Sequence, residues 1–448
     1  MKLMLMQYSF VLKSLCITVA SILLVGAEAA DSFAQDPPRV EIPSSINPVG
    51  SGARALGMGG AFIAVADDAT AASWNPGGLI QLETPEVSIV GAYFKREEDN
   101  TFGEYPEASG SENVSNGNIN YLSATYPFNA FNRNMVLSIN YQNLYDFERN
   151  WDLPILEITE KEDSTVISDI ELEQDGGLKA IGIAYCIQVT PRLSFGMTLN
   201  IWQDDIDNNG WEQKQKYSGV VDIQGVPFSY TAKQSNQYTF SGFNTNIGIL
   251  WSLTSRMTIG AVLKTPFTAD LKHKSTEKIK YENGEGYSNS YRKDEELDMP
   301  MSYGIGVSYR FSDRLTAAID IYHTEWDEYI LTDADGNKTS PINNKPKSEA
   351  NIDPTNQVRM GCEYLFIGNN YVVPLRGGVF YDPAPAEGSP DDYYGFSIGS
   401  GLALGKIIFD MAYQYRFGND VADHLYEALD LSQDLREHTL YTSLIYHF

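Results

Sequence analysis

The sequence of 448 residues has few cysteines, few basic residues and no long apolar run beyond its N-terminus. Its three cysteines, Cys16, Cys186 and Cys362, are too few and too far apart for a disulfide framework or a CxxC zinc site. Lysine and arginine number 32 against 59 acidic residues, and the net charge of −27 argues against nucleic acid as a partner. No apolar stretch of about 18 residues occurs after residue 30, which excludes a bundle of transmembrane helices.

Local patterns for catalysis or cofactor binding are also missing. The five histidines do not fall in the spacing of a zinc-binding helix. Gly57-Met58-Gly59-Gly60 fails the dinucleotide-binding pattern, because Phe62 occupies the position of its last glycine. We therefore predict no catalytic residues, no metal, no cofactor and no enzymatic activity.

The N-terminus has the features of an export signal. Lys2 and Lys13 precede an apolar stretch over residues 15–25, and Ala27-Glu28-Ala29 fits a small-residue cleavage site. A second candidate site ends at Ala34. We predict a signal peptide over residues 1–29, with cleavage as late as 34, and an exported mature protein.

From Pro85 to Phe448, apolar and polar residues alternate, which indicates β-strands. In residues 301–311, one face carries Met, Tyr, Ile, Val and Phe, while the other carries Ser, Gly and Arg. The alternating segments run about 10 to 14 residues, longer than typical soluble strands and suited to a tilted membrane crossing. We predict fourteen strands, at residues 85–96, 118–128, 133–147, 177–190, 193–207, 239–253, 256–268, 299–311, 314–331, 356–367, 371–381, 393–405, 406–418 and 436–448.

The connections between these strands alternate in length. Short turns follow every second strand, and the remaining connections, over 101–116, 148–175, 207–238, 270–298, 332–351, 382–392 and 419–435, are long. Short periplasmic turns and long external loops are typical of outer-membrane barrels, whose strand number is even. Together with the terminal Phe448, this rhythm predicts an all-β transmembrane antiparallel barrel among the lipids of a Gram-negative outer membrane.

Ahead of the first strand, residues 52–79 form a segment rich in glycine and alanine, which includes the runs Gly57-Met58-Gly59-Gly60, Ala66-Asp67-Asp68-Ala69 and Asn75-Pro76-Gly77-Gly78-Leu79. These runs resemble the N-terminal region of the FadL/TodX family of outer-membrane transporters for hydrophobic compounds. Gly77 replaces the alanine that usually follows Asn-Pro in that family.

The resemblance implies a barrel of about fourteen strands over residues 85–448, with an N-terminal hatch, or plug, over residues 30–84 in its lumen. It also implies passive uptake of hydrophobic small molecules, such as long-chain fatty acids or aromatic hydrocarbons, by binding in the lumen and lateral diffusion into the membrane. The rival interpretation is a FadL-like barrel that acts as a structural or secretion-linked subunit and binds a secretion-system partner.

The candidate site residues all lie in the hatch. Asp67 and Asp68 are expected to cap a short helix or to pair with a lumen-facing arginine such as Arg310, Arg376 or Arg416. Ligand contacts are expected from Phe62, Ile63 and Val65, with packing inside the hatch as the competing role. The hatch motif is predicted to comprise Gly57, Gly59, Gly60, Asp67, Asp68, Asn75 and Pro76.

Overall fold

The computed structural model describes residues 50–103, 105–153, 164–205, 209–223, 226–282, 284, 286–423, 425 and 430–448. The predicted signal segment over residues 1–29 and the first part of the predicted hatch lie outside these ranges, so those boundaries stay predictions.

Fourteen antiparallel strands close into a barrel, which confirms the predicted strand number. Each strand pairs with its neighbours around the ring, and the first strand pairs with the last through seventeen residue pairs from Glu86↔His447 to Phe102↔Leu431. The barrel strands are β1 (Glu86–Phe102), β2 (Gly110–Ala130), β3 (Arg133–Asp146), β5 (Ser164–Thr190), β6 (Leu193–Trp202), β8 (Val226–Ser252), β9 (Met257–Lys264), β12 (Ser302–Arg310), β13 (Leu315–Thr324), β16 (Thr355–Ile367), β17 (Tyr371–Tyr381), β18 (Tyr393–Leu404), β19 (Ile407–Val421) and β20 (Leu431–His447).

The barrel wall has its large apolar side chains on the outside and its small residues on the inside, which is the reverse of a soluble protein. In β12, the large side chains Tyr303, Ile305 and Tyr309 are exposed, whereas Gly304 and Gly306 are buried on the inner face. Large apolar residues facing outwards give the wall a surface that matches lipid chains, and small residues facing inwards leave space in the lumen.

The outer end of the barrel differs from the sequence-based expectation. Six further strands lie in or beside the predicted long loops: β4 (Arg149–Leu153), β7 (Gly210–Ile223), β10 (Phe267–Tyr281), β11 (Gly286–Met299), β14 (Ile330–Thr332) and β15 (Lys338–Thr339). They pair with each other and with the outer halves of β5 and β8, so the loop assignment for these segments was wrong. We call these six strands, together with the outer halves of β5 and β8, the outer sheet. Its inner face packs a buried aromatic cluster that includes Trp211, Tyr238 and Phe240.

The described residues before β1, from residue 50 onwards, are compact and occupy the lumen. They contain the short helices α1 (Ala53–Gly57) and α2 (Ala71–Trp74), followed by a 3-10 helix over Pro76–Gln81. Their apolar side chains form one buried cluster with inward-facing residues of the wall, among them Cys186, Val262 and Tyr322. Among the described residues, no helix has both the length and the apolar character needed to cross a bilayer.

Candidate functional site

Glycines in the barrel wall let the hatch backbone approach the strands closely. A Cβ atom on Gly378 of β17 would overlap the backbone of Met58 and Gly59, and one on Gly361 of β16 would overlap the carbonyl of Met58. Only glycine leaves room for such an approach. Close contacts of this kind involve Gly196, Gly248, Gly260, Gly306, Gly361, Gly378 and Gly399 on seven of the barrel strands.

Polar side chains of the wall satisfy the backbone of the hatch. Asp320 accepts the Phe62 and Ile63 N–H groups through Oδ2, at 2.6 and 2.8 Å. The hydroxyls of Tyr121, Ser194, Thr198 and Ser308 donate to carbonyls at Ala69, Gly77, Ala72 and Ala64. Buried backbone groups without partners would be costly, so these bonds fix the hatch in one position.

The Asn75-Pro76 pair joins three parts of the molecule. The Asn75 side-chain amide donates to the carbonyl of Ile63 at 2.8 Å and to the carbonyl of Ile249 in β8 at 2.9 Å. Its Oδ1 atom accepts the Gly77 N–H, which starts the 3-10 helix, and Pro76 takes the first position of that helix. The pair therefore ties two hatch segments to the wall.

Replacing Asn75 with alanine should loosen the hatch without opening the barrel. The substitution removes all three hydrogen bonds and takes a buried donor away from the Ile63 carbonyl, a loss of about 2–4 kcal/mol of local stability. Amide hydrogen exchange should report faster exchange at Gly77, Gly78 and Leu79, while exchange in the barrel strands stays unchanged. Equal protection of the hatch in both proteins would contradict this assignment.

The two adjacent aspartates have separate roles. Asp68 Oδ1 accepts the backbone N–H and the hydroxyl of Thr70, which closes a turn ahead of α2, and no side-chain hydrogen bond caps the helix itself. Asp67 binds Arg54 of the hatch itself at 2.5 Å, so the predicted pairing with Arg310, Arg376 or Arg416 was wrong. Arg310 is exposed, and Arg416 pairs with Asp382 instead.

Arg376 reaches the hatch through an intermediate carboxylate. Arg54 also binds Glu363 of β16 at 3.0 Å, Glu363 binds Arg376 at 2.6 Å, and Arg376 binds Asp410 at 2.6 Å. Burial raises the pKa of the Asp67 carboxyl, and the Arg54 charge opposes that shift. These ion pairs connect a charged residue of the hatch to charged residues of the barrel wall. The spacing of the residues in the sequence could not show this connection.

The three candidate ligand contacts lie deep in the hatch. Phe62 and Ile63 are fully buried, Val65 is nearly so, and the Phe62 ring packs edge-on against Trp74. Their contact with ligand stays a prediction. Gly57, at the end of α1, and Gly59, at positive φ, both approach wall glycines. Gly60, also at positive φ, faces Arg359.

The prediction that local catalytic patterns are missing was wrong for one stretch of β18, because Gly395-Phe396-Ser397-Ile398-Gly399 has the spacing of a hydrolase nucleophile elbow. That motif requires a sharp strand-to-helix turn, whereas Ser397 lies inside a straight barrel strand. Its Oγ atom accepts the Gly59 N–H at 2.8 Å and donates to the Gly57 carbonyl at 3.1 Å. Ser397 therefore holds the hatch backbone against β18 through these two hydrogen bonds.

A cavity lies directly on the hatch, which we call the hatch cavity. Its floor includes Leu56 and Trp74, and its walls include Phe94 together with the charged groups of Arg96 and Glu437. The cavity is narrow, with about 90 Å³ of accessible volume, and its lining combines apolar and charged side chains.

A second cavity, with about 80 Å³ of accessible volume, lies beside the first, and we call it the aromatic cavity. Trp202 and Phe267 stack there with their ring centres 5.9 Å apart, and Lys264 is the cation in its lining. Leu144 and Tyr145 of β3 line both cavities, so the two spaces share one wall.

The hatch cavity meets the barrel wall where two strands separate. The β2–β3 ladder runs from Ala130↔Arg133 only as far as Tyr121↔Gln142, although both strands continue outwards. Each strand carries an irregularity just beyond that point, at Asn120 against β1 and at Leu144 against β5. Bulges bend strands and end pairing, so β2 and β3 diverge from here. We call this gap the seam.

Among the described residues, hydrogen bonds donated by side chains bridge the seam in place of a backbone ladder. Asn118 donates to Asp146 at 3.0 Å, Asn120 donates to the Asn143 carbonyl at 3.1 Å, and Asn116 donates to Glu148 at 3.0 Å. Burial raises the pKa of the Glu148 carboxyl to about 8, and nearby Asp146 and Asp175 add to the shift.

The comparisons with known proteins agree with this architecture. The family model for outer membrane protein transport proteins (OMPP1/FadL/TodX) matches residues 46–437. A Pseudomonas aeruginosa FadL homologue has a similar structure, with a TM-score of 0.63 and 15% identity over 90% of this chain and 100% of that one.

Two hydrocarbon channels are also similar in structure. The Pseudomonas putida toluene transporter TodX gives a TM-score of 0.57 at 14% identity, over 90% of this chain and 99% of its own. The CymD monoaromatic hydrocarbon channel gives 0.56 at 17% identity, with the same coverage. These likenesses show the fold, and no curated protein sequence matches the chain.

Proposed function

The chain belongs to the OMPP1/FadL/TodX family of outer membrane transport proteins, and on that premise we propose that it carries hydrophobic small molecules from the lumen sideways into the membrane. The observation that carries this proposal is the seam between β2 and β3, which borders the hatch cavity. The family is one of transporters of the Gram-negative outer membrane and not of enzymes, and it does not favour the rival role as a secretion-linked subunit.

The proposed route runs from the aromatic cavity to the seam. Leu144 and Tyr145 separate the two cavities, and Asn118, Asn120 and Asp146 of the seam line the hatch cavity. The exposed side chains Ile119 and Tyr93 lie outside this part of the wall, at 48% and 52% exposure. A molecule that leaves through the seam therefore meets apolar surface and lipid, and the gain of about 0.8 kcal/mol per buried CH₂ group drives it without another energy source.

The chemistry of the aromatic cavity favours an amphiphilic anion. Trp202, Phe267 and Met299 provide apolar surface, and Lys264 provides a positive charge next to them. A fatty acid matches both features, because its chain can pack on the rings while its carboxylate approaches the ammonium group. We propose long-chain fatty acids as the preferred class over neutral aromatic hydrocarbons.

Replacing Lys264 with methionine should separate the two ligand classes. Methionine keeps a similar volume and loses the charge, so fatty-acid affinity should fall about tenfold, as expected for a lost charge-assisted bond. The affinity for a neutral alkylbenzene should stay the same or rise. Titration of both ligands into the detergent-folded protein and its variant measures this.

The matched control changes a lysine outside both cavities, and Lys95 on the exposed face of β1 serves as Lys95→Met. It should leave both affinities unchanged. If the intact protein binds alkylbenzene but no fatty acid, the transport proposal stands and the ligand class is wrong. If it binds neither, the proposal of hydrophobic transport itself fails.

A further inference from the structure

The outward face of the outer sheet concentrates positive charge on a chain that is strongly acidic overall. The residues of this face come from neighbouring strands and point the same way, because directly opposed residues share one side of a sheet. Five of them, which we call the lysine face, are Lys233 of β8, Lys274, Lys278 and Lys280 of β10, and Arg292 of β11.

These five side chains are exposed and have no acidic partner within 4 Å among the described residues. The neighbouring Lys214 and Lys216 differ, because they pair with Glu173 and Glu171. The same sheet therefore contains both neutralised lysines and a set whose charge is left open to the outside.

The register places like charges directly against each other. Lys216, Lys233 and Lys278 lie opposite one another on three adjacent strands, and Lys274 lies opposite Arg292. Like charges directly opposed destabilise a sheet. An anionic ligand that contacts several of them would remove this repulsion, so the arrangement fits a partner with more than one negative group.

The distance of the lysine face above the membrane limits which partner can reach it. On β8, Phe243 is strongly exposed and marks the outer part of the lipid-facing band, on the same face as Lys233. Residues opposite Lys274 to Lys280 lie six to twelve positions further along the strand. With strands rising about 3.3 Å per residue and tilted by about 40°, the face lies roughly 15 to 30 Å above that band.

Acidic residues lie between the lysine face and the membrane. Asp270 lies opposite Glu296, and Asp294 lies opposite Lys272 on the next row outwards. Carboxylates at this level repel phosphates of the lipid headgroup, whereas the cations attract negative groups further from the bilayer. Charge complementarity therefore points to the outer saccharide of a glycolipid and not to the phosphates at the bilayer surface.

We propose that the lysine face binds the phosphate-bearing core saccharide of an outer-leaflet glycolipid, and so holds a glycolipid beside the outer sheet. A saccharide with several phosphates matches the number of open cations, and a glycolipid of the surrounding leaflet would carry that saccharide above the bilayer. The bound saccharide contacts the outside of the barrel, so transport through the lumen does not depend on it.

The test uses the full detergent-folded protein and a triple variant, Lys233→Gln, Lys274→Gln and Lys278→Gln. Three probes are titrated: lipopolysaccharide with a phosphorylated core, the same glycolipid after the core is dephosphorylated, and a truncated form that keeps only its lipid anchor. We expect tight binding of the first probe alone and a loss of roughly a hundredfold in the triple variant, since each lysine near an anionic surface contributes about fivefold.

The control variant removes charge at the opposite end of the barrel, with Lys406→Gln and Arg256→Gln in the short turns. It should bind like the intact protein. Because the triple variant also removes like-charge repulsion, it should unfold no more easily than the intact protein, which separates lost binding from misfolding. Equal affinity of the intact and triple-variant proteins would overturn the proposal. Equal binding of the truncated probe, or of inorganic polyphosphate, would overturn the assignment to the core saccharide.

Discussion

A cross-link across the seam should reduce transport to the background of cells that lack the protein. Asn118 and Asp146 face each other there, with 3.0 Å between their side-chain nitrogen and oxygen atoms. Cysteines at these two positions, joined by a short thiol cross-linker with a reducible bond, would prevent β2 and β3 from moving apart. Uptake of a labelled long-chain fatty acid is the measurement, and reduction of the linker should restore it.

The size of the expected effect follows from how the strands are held. Beyond Tyr121↔Gln142 no backbone ladder joins β2 to β3, and side-chain bonds of about 0.5–1.5 kcal/mol each bridge the gap. Thermal motion can break such bonds, whereas a covalent link cannot open. Binding inside the lumen should persist, because the link lies at its edge.

The control places the same cysteine pair in a stretch of ladder that has no irregularity, from Gly91↔Ile119 to Asn100↔Gly110. Glu97 and Asn113 lie directly opposite each other on β1 and β2, where pairing is continuous. Cross-linking these positions should leave uptake unchanged. Both experiments use a Cys362→Ser background, since Cys362 is exposed and Cys186 is buried. Normal uptake with the Asn118–Asp146 link in place would show that molecules leave by another route.

The membrane-spanning part of the fold could be predicted from the sequence because its physical cause is local. Each strand alternates a large lipid-facing residue with a small inner one, as Tyr303, Gly304 and Ile305 do, and all fourteen barrel strands correspond to predicted segments in order. The outer sheet was missed for a reason that is also local. In β10, Leu271 and His273 alternate with Lys272 and Lys274, but polar residues on the exposed face resemble a loop.

The site depends on long-range geometry that no local pattern reveals. Asp67 was expected to reach across to the wall, yet Arg54, thirteen residues earlier, lies beside it. The seam arises from the irregularities at Asn120 and Leu144, whose effect depends on which strands neighbour them. A cluster of asparagines at alternate positions, Asn116, Asn118 and Asn120, was the only available signal that β2 bonds through its side chains there.

Replacing Gly378 with valine should unseat the hatch and open the lumen to small polar solutes. The new side chain would occupy the space of the Met58 and Gly59 backbone, which Ser397 and Arg359 also hold in place. Overpacking usually costs about 1–3 kcal/mol, and here the overlap is with backbone that cannot rotate away. In planar bilayers, the intact protein should conduct poorly and the variant should show discrete open-channel steps.

The neighbouring glycine separates this effect from a general defect in the strand. Gly377 is next in sequence but faces the other way, and a Cβ there would meet only the Ser397 carbonyl oxygen at 3.9 Å. Gly377→Val should therefore assemble and conduct like the intact protein, although both variants add the same side chain to β17. A fourteen-strand barrel without a plug leaves an aqueous channel, so conduction should follow the position of the hatch. If Gly378→Val assembles and stays closed, the hatch accommodates the new side chain. The wall glycines then do not determine the position of the hatch.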